Sequence, residues 1–170
     1  MRRWAGLLAL TGLALAIGCA QSRPDAPQLI STAQLAQRLN DPNLRIIDAR
    51  GALATYLQEH LPNALFLSTE TLRLTRGGIP GQLLPPERLA EIFGAMGIGA
   101  DHEVVVYSSA EDAFSAATYT ALALLAIGHT RVAVLDGGFE KWKAESRPLS
   151  RAIPRFEPQT RTAQPNPDLF

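Results

Sequence analysis

"VVVYSSAED", residues Val104–Asp112, decides the fold. Behind Glu103, Val104–Tyr107 is apolar at every position, too short for a helix, and followed by a polar, acidic turn. Such a run is what a strand covered on both faces needs, and strands of that kind build parallel sheets. Open α/β sheets place their chemistry where these strands stop. Ser108, Ser109, Ala110, Glu111, Asp112 and Ala113 are therefore the candidate loop, although it holds neither a strong nucleophile nor a phosphate-cradling glycine run.

The flanks of this strand follow the same logic. "PPERLAEIFGAMGI" starts a helix with Pro in its first turn and stops at Gly97. On the other side Asp112 can cap "AFSAATYTALALLAIG", a helix apolar on nearly every face and closed by Gly128, which predicts burial with Tyr119 in the core. "RVAVLDGG" gives a strand and a tight turn at Gly137 and Gly138, with no phosphate-loop Lys-Ser/Thr after it, and "FEKWKAE" a short amphipathic helix. Upstream, "STAQLAQRL" is a capped helix, "LRIIDAR" a strand, "ALATYLQEH" a helical turn or two and "LPNALFL" another strand. Residues 68–85, with Gly-Gly and Pro-Gly punctuation, read as a long irregular excursion. Alternating strands and helices predict an α/β class with a mainly parallel sheet in one domain, residues 28–150, and no internal repeat. A tether, 19–27, precedes it and a Pro-rich tail, 151–170, follows; the tail could dock a partner, but its composition predicts a loosely packed terminus.

Charge excludes some classes. The chain has 16 basic and 16 acidic residues, and without residues 1–18, which carry Arg2 and Arg3, the balance is 14 against 16, or −2. No Lys/Arg run suggests a nucleic-acid partner. "MRRW" followed by the apolar stretch Ala5–Ile17 is the pattern of an export signal, too short to span a bilayer as a helix. Small residues before Cys19 in "ALAIGCAQS" resemble the lipobox of bacterial lipoproteins; plain signal cleavage at the A-x-A of Ala14 and Ala16 is the competing reading. Lipidation at Cys19 would tie the mature chain to a membrane, since two or more acyl chains give stable anchoring. Ala20, in place of the Asp that favours inner-membrane retention, implies an outer-membrane protein facing the periplasm. Cys19 is the only cysteine, so a lipidated chain keeps no thiol for a disulfide, a nucleophile or a metal.

Other residue types bear on chemistry. Ser108 or Ser109 with His60 or His102 would suggest a hydrolase, but no G-x-S-x-G elbow surrounds the serines. Glu111 and Asp112 could hold a divalent cation, yet neighbouring loop carboxylates more often form a solvated face and a helix cap. His60, His102 and His129 lack paired ligand spacing, and neither metal nor cofactor is expected.

Taken together, "IIDAR", "YLQEHLPNALFL", "MGIGADHEVVVY", "AIGHTRVAVLDGGFEKW" and "RPL" resemble the rhodanese family of sulfurtransferases, in the same order and at matching intervals, from about Leu29 to Leu149. The resemblance implies a three-layer α/β/α domain with a five-stranded parallel sheet and an active loop directly after "VVVY". In this fold Asp48 and Arg50 would hold neighbouring loops as a structural ion pair rather than take part in chemistry. Active members open the loop with a cysteine that takes sulfane sulfur from a donor such as thiosulfate and passes it on as a persulfide. Ser108 stands at that position here. The longer loop with its "AFSAA" ending resembles the amino-terminal half of tandem rhodaneses, which serves structure; Thr118 stands where that half often has Arg, and no second half is expected in this chain.

A serine hydroxyl cannot replace a thiolate, whose pKa of about 8.5 can be lowered into the working range. Glu111 and Asp112 would also repel an anionic donor. Two expectations follow. The chain is a non-catalytic rhodanese-like lipoprotein that binds a sulfur-carrier or redox partner, or it is the structural half of an enzyme whose cysteine lies on a rhodanese partner chain.

Overall fold

The structure, a computed structural model of the chain, describes residues 26–165 and 167. The expected signal peptide, Cys19 and most of the tether lie outside these residues. In chain order the elements are β1 (Gln28–Ile30), α1 (Thr32–Ala36), β2 (Leu44–Asp48), α2 (Leu53–Gln58), β3 (Ala64–Phe66), β4 (Arg73–Arg76), β5 (Ile79–Leu83), α3 (Pro86–Ala95), β6 (Glu103–Tyr107), α4 (Ser115–Ala126), β7 (Val132–Leu135) and α5 (Gly138–Ala144). Short 3-10 turns occupy Thr69–Leu72 and Ala110–Asp112. Five strands pair in parallel in the order β1-β7-β6-β2-β3, and β4 and β5 form a separate antiparallel hairpin.

β6 is the centre of the sheet, and its side chains alternate between two cores because successive Cβ atoms point to opposite faces. Val104 and Val106 join Ile47, Val132 and Val134 under α3 and α4. Val105 and Tyr107 join Ile46, Ala133 and Leu135 under α1 and α5, with Leu35, Phe139 and Trp142. The continuous apolar run thus feeds both layers of an α/β/α sandwich. Each fully buried side chain of this size contributes about 1.5–3 kcal/mol. Among the described residues no helix is long and apolar enough to cross a membrane.

Four features depart from the sequence reading. β1 is an edge strand with only Ile30 buried. The excursion at 68–85 contains the β4–β5 hairpin, which turns at Gly77 and Gly78. α4 begins at Ser115, because Ala113 and Phe114 are left-handed (φ 51° and 60°) and end the preceding 3-10 turn. The Asp112 carboxylate still reaches the first turn of α4, accepting from Ala116 N at 3.4 Å.

The fourth concerns the tail, which is packed rather than loose up to residue 165. It starts where Ser150 bridges His60, then runs under the amino-terminal ends of the strands. Phe156 lies under Arg45 of β2, with the guanidinium 4.1 Å from the ring centre. Gln159 N donates to Gly94 O at the end of α3 (2.8 Å), and Gln164 N donates to Ile127 O after α4 (3.0 Å). Glycines let it come this close: a Cβ at Gly94 would stand 2.5 Å from Gln159 O, and one at Gly128 2.4 Å from Gln164 O.

Candidate functional site

The carboxyl ends of β2 and β6 carry the candidate site, and a buried polar cluster fixes it. Asp48, the last residue of β2, is fully buried and takes Arg50 through Nη2 at 2.7 Å and Nε at 3.0 Å. Tyr107, the last residue of β6, donates its hydroxyl to Asp48 Oδ2 at 2.6 Å and accepts Leu61 N–H at 3.2 Å. Burial pushes the Tyr107 phenol well above its ordinary pKa, and the Asp48 charge adds to the shift. Burial alone would lower the Arg50 pKa, but Asp48 more than offsets this and raises it, so the guanidinium keeps its charge. Arg50 also donates to Glu59 O at 2.6 Å and stacks over Phe139, 3.8 Å from the ring centre. Asp48 and Arg50 are therefore brought together inside the fold, where Arg50 holds the carboxyl-terminal cap of α2.

Ser108 follows Tyr107 and is fully buried. Its Oγ accepts Ala117 N–H at 3.3 Å and donates to Asp112 Oδ1 at 3.3 Å. The first amides of α4 are thus occupied by the chain's own hydroxyl and carboxylate, the positions where a helix start would otherwise favour an external anion. Ser109 caps the 3-10 turn by accepting Glu111 N–H at 3.1 Å. Glu140, the third residue of α5, accepts the Ser109 hydroxyl at 2.8 Å and Ala110 N–H at 2.9 Å. Burial would raise the Glu140 pKa, but these two donors, with help from Arg50, carry it below the ordinary value.

Two left-handed non-glycine residues in succession, Ala113 and Phe114, cost about 1–3 kcal/mol each unless the surroundings enforce them. Gly138 supplies part of that enforcement. It has φ +55°, and a Cβ there would meet Ser108 O at 2.4 Å and Phe114 Cε1 at 2.9 Å, so the Asp-Gly-Gly turn presses directly on the loop.

A cavity of about 340 Å³ opens beside the loop, lined among others by Arg50, Thr55, Ser109, Glu111, Phe139 and Glu140. Among the described residues neither Glu111 nor Asp112 pairs with Lys or Arg, whereas Glu59 at the rim pairs with Lys143. The mouth is therefore acidic. His60 and His102 do not approach Ser108: His60 stacks on Tyr56 and faces Ala152 O, and His102 sits before β6 at the opposite edge. This removes the hydrolase arrangement. Among the described residues no three His, Cys, Asp or Glu side chains gather to hold a metal.

The sequence reading missed Tyr107, Phe139 and Glu140. Their partners lie 30 or more residues away, at Ala110 and Ser109 for Glu140 and at Asp48 for Tyr107, so no local pattern links them.

Residues 31–145 match the model of the rhodanese-like domain. The chain is 34% identical over 128 residues to thiosulfate sulfurtransferase of Azotobacter vinelandii, covering 75% of this chain and 46% of that protein. It is 33% identical over 154 residues to thiosulfate sulfurtransferase of Bos taurus, covering 84% of this chain and 52% of that one. Among solved structures it is similar to SseA of Escherichia coli, described with the 3-mercaptopyruvate sulfotransferases, at a TM-score of 0.70 and 26% identity, covering 84% of this chain and 59% of that one. The chain spans about half the length of the relatives it matches. A parallel sheet in the order β1-β7-β6-β2-β3, a loop fixed at the end of β6 and these matches agree: the chain belongs to the rhodanese-like domain family of sulfurtransferase relatives.

Proposed function

We propose that this chain is a rhodanese-like module without sulfurtransferase turnover of its own, exported and lipid-anchored through Cys19. It would serve as a binding or structural component facing the periplasm in sulfur or redox metabolism. The observation that carries this reading is the buried Ser108 Oγ, tied to Asp112 and to Ala117 N where active relatives present a thiolate. Transfer needs a sulfur nucleophile able to hold a second sulfur atom, and Ser has none. The acidic mouth also disfavours an anionic donor.

A second reading has its own support. Because the chain spans about half the length of relatives named thiosulfate sulfurtransferases, it could be the structural half of an enzyme whose cysteine is on a partner rhodanese chain. Co-purification from membranes with a cysteine-bearing rhodanese domain favours this second reading over the first.

Thiosulfate-to-cyanide transfer by the purified chain should equal the enzyme-free blank under both readings, and turnover by the unmodified chain alone overturns both. Ser108→Cys should remain near the blank, because Asp112 still occupies the amides of α4. Robust turnover from that single change would show that the carboxylates do not block the loop. Mass analysis of the mature amino terminus decides the anchor.

A further inference from the structure

The amino-terminal edge of the sheet has an electrostatic character that the candidate site lacks. Arg45 of β2 is buried, and its guanidinium donates to Gly97 O, Pro42 O and Leu44 O, while Nη2 faces His102 Nε2 at 3.1 Å. Arg161, on the packed tail, donates to Gly99 O at 3.4 Å, and its Nε is buried with no partner among the described residues. Among the described residues neither arginine pairs with a carboxylate.

Two histidines complete the cluster. His102 accepts Gly99 N–H at Nδ1, 2.9 Å, while its other nitrogen faces Arg45. A neutral imidazole has one N–H and one lone pair, so with Nδ1 accepting from Gly99 the ring N–H faces the Arg45 guanidinium, and a second proton would have to displace the Gly99 bond. His129 is 2% exposed, and its Nε2 has no hydrogen-bond partner among the described residues. Burial and then the Arg161 guanidinium lower the His129 pKa to about 4; a bond to the Arg131 backbone opposes this, while the Arg131 and His102 charges add to it. Burial, Arg45 and Arg161 likewise lower His102, with Asp101 opposing. The groups that face this pocket are thus Arg45 from β2, Asp101 and His102 before β6, Arg131 before β7 and Arg161 from the tail.

We propose that residues 153–165 form an acid-released strap: protonation of His129 beside Arg161 detaches this segment from the amino-terminal edge of the sheet while the sheet stays folded. The attachments suit release. Across Gly94 and Gly128 the strap is held by the backbone bonds from Gln159 and Gln164, by the Phe156–Arg45 stack and by the long Arg161 bond. Segments with few apolar contacts open locally at a lower free energy than the core. Release carries away Arg161, one of the causes of the His129 shift, and uncovers the backbone at Ile127 and Gly128 beside the ring.

The sign follows from linkage. A histidine whose pKa is depressed in the closed state contributes fully above its ordinary value, and that contribution is lost as pH falls from about 6.5 toward 4. If the open state restores the ordinary value of 6.5, His129 raises the open fraction by at most about 20-fold between pH 7 and pH 5. The inference does not depend on whether the loop at the other edge transfers sulfur.

Hydrogen exchange on the full-length chain at pH 7 and pH 5, corrected for the intrinsic pH dependence of exchange, tests it. Amides of 153–165 should open up to about 20-fold more at pH 5 while those of Val105 and Val106 do not change, and His129→Gln should abolish the difference. Gly128→Ala should open the strap already at pH 7, because its Cβ would lie 2.4 Å from Gln164 O. An unchanged strap at pH 5, an equal acceleration in His129→Gln, or opening of strap and β6 together overturns the proposal. Should His129→Gln fail to fold, the unmodified chain decides: exchange of 153–165 that rises with the same midpoint as the His129 ring in an NMR titration supports the strap, and exchange that stays flat through that midpoint sinks it.

Discussion

Arg50 and Arg45 sit at opposite ends of the same strand and are equally buried, at 7% and 8% exposure, yet the fold treats them in opposite ways. Arg50 faces a dedicated carboxylate, Asp48, through three hydrogen bonds to its guanidinium and one to its backbone amide. Arg45 faces three carbonyl oxygens, a neutral imidazole and the Phe156 ring. The edge that carries the loop therefore ties three of its carboxylates to the chain's own donors: Asp48 to Arg50, Glu140 to Ser109 and Ala110, Asp112 to Ser108 and α4. At the opposite edge Arg45 and Arg161 have no carboxylate partner among the described residues, and the tail covers Arg45 through Phe156. Carboxylates held by the chain's own donors fix the loop, whereas the Arg45 guanidinium at the other end is held by neutral acceptors alone.

The sharpest way to break this contrast is to remove Asp48. Asp48→Ala leaves the Arg50 charge buried and the Tyr107 hydroxyl without its acceptor, and breaking a buried pair from one side costs about 3–5 kcal/mol. Urea unfolding should show that loss as a lower midpoint at unchanged slope. A loss below about 1 kcal/mol would mean that water reaches Arg50 and that the pair is a surface feature.

Glu140 tests the same edge more gently. Glu140→Ala removes two hydrogen bonds to the loop, worth about 1–2 kcal/mol in total, and should expose Ala110 N–H to exchange without disturbing β6. Because its pKa is lowered in the fold, the Glu140 contribution is present above about pH 4.5 and is lost as pH falls below that value. The variant should therefore converge with the unmodified chain in stability at low pH, and a constant difference across that range would assign the effect to packing.

Most of the sheet is legible in the chain because β2, β3, β6 and β7 are short apolar runs between turn residues. β1 is not: it has three residues and one buried side chain, too little for any period to appear. The hairpin escapes for a related reason, since β5 is exposed over Ile79–Gly81 and shows no buried face. The position and composition of the loop Ser108–Ala113 can be read from the way β6 ends, but its closure cannot, because Glu140 and Gly138 reach it from α5. The strap leaves only an indirect mark. Gly94 inside α3 costs about 1 kcal/mol against Ala, and a glycine there is the trace of a backbone lying close outside the helix.

The smallest expected effect sharpens the contrast from the other edge. In Arg45→Met the alkyl stem is kept and the guanidinium removed, so the carbonyls of Pro42, Leu44 and Gly97 lose a donor while a buried charge without a counter-ion disappears. Each lost bond is worth about 1 kcal/mol, and replacing a buried charge by a well-packed apolar group returns about 1–4 kcal/mol. The two terms nearly cancel, so the urea midpoint should move by less than about a third of the Asp48→Ala effect, in either direction. His102 also loses one of the charges that lower its pKa, so its titration should move upward. If Arg45→Met instead destabilises as strongly as Asp48→Ala, the carbonyl cage supports that charge as well as a carboxylate would, and the two edges are not electrostatically distinct.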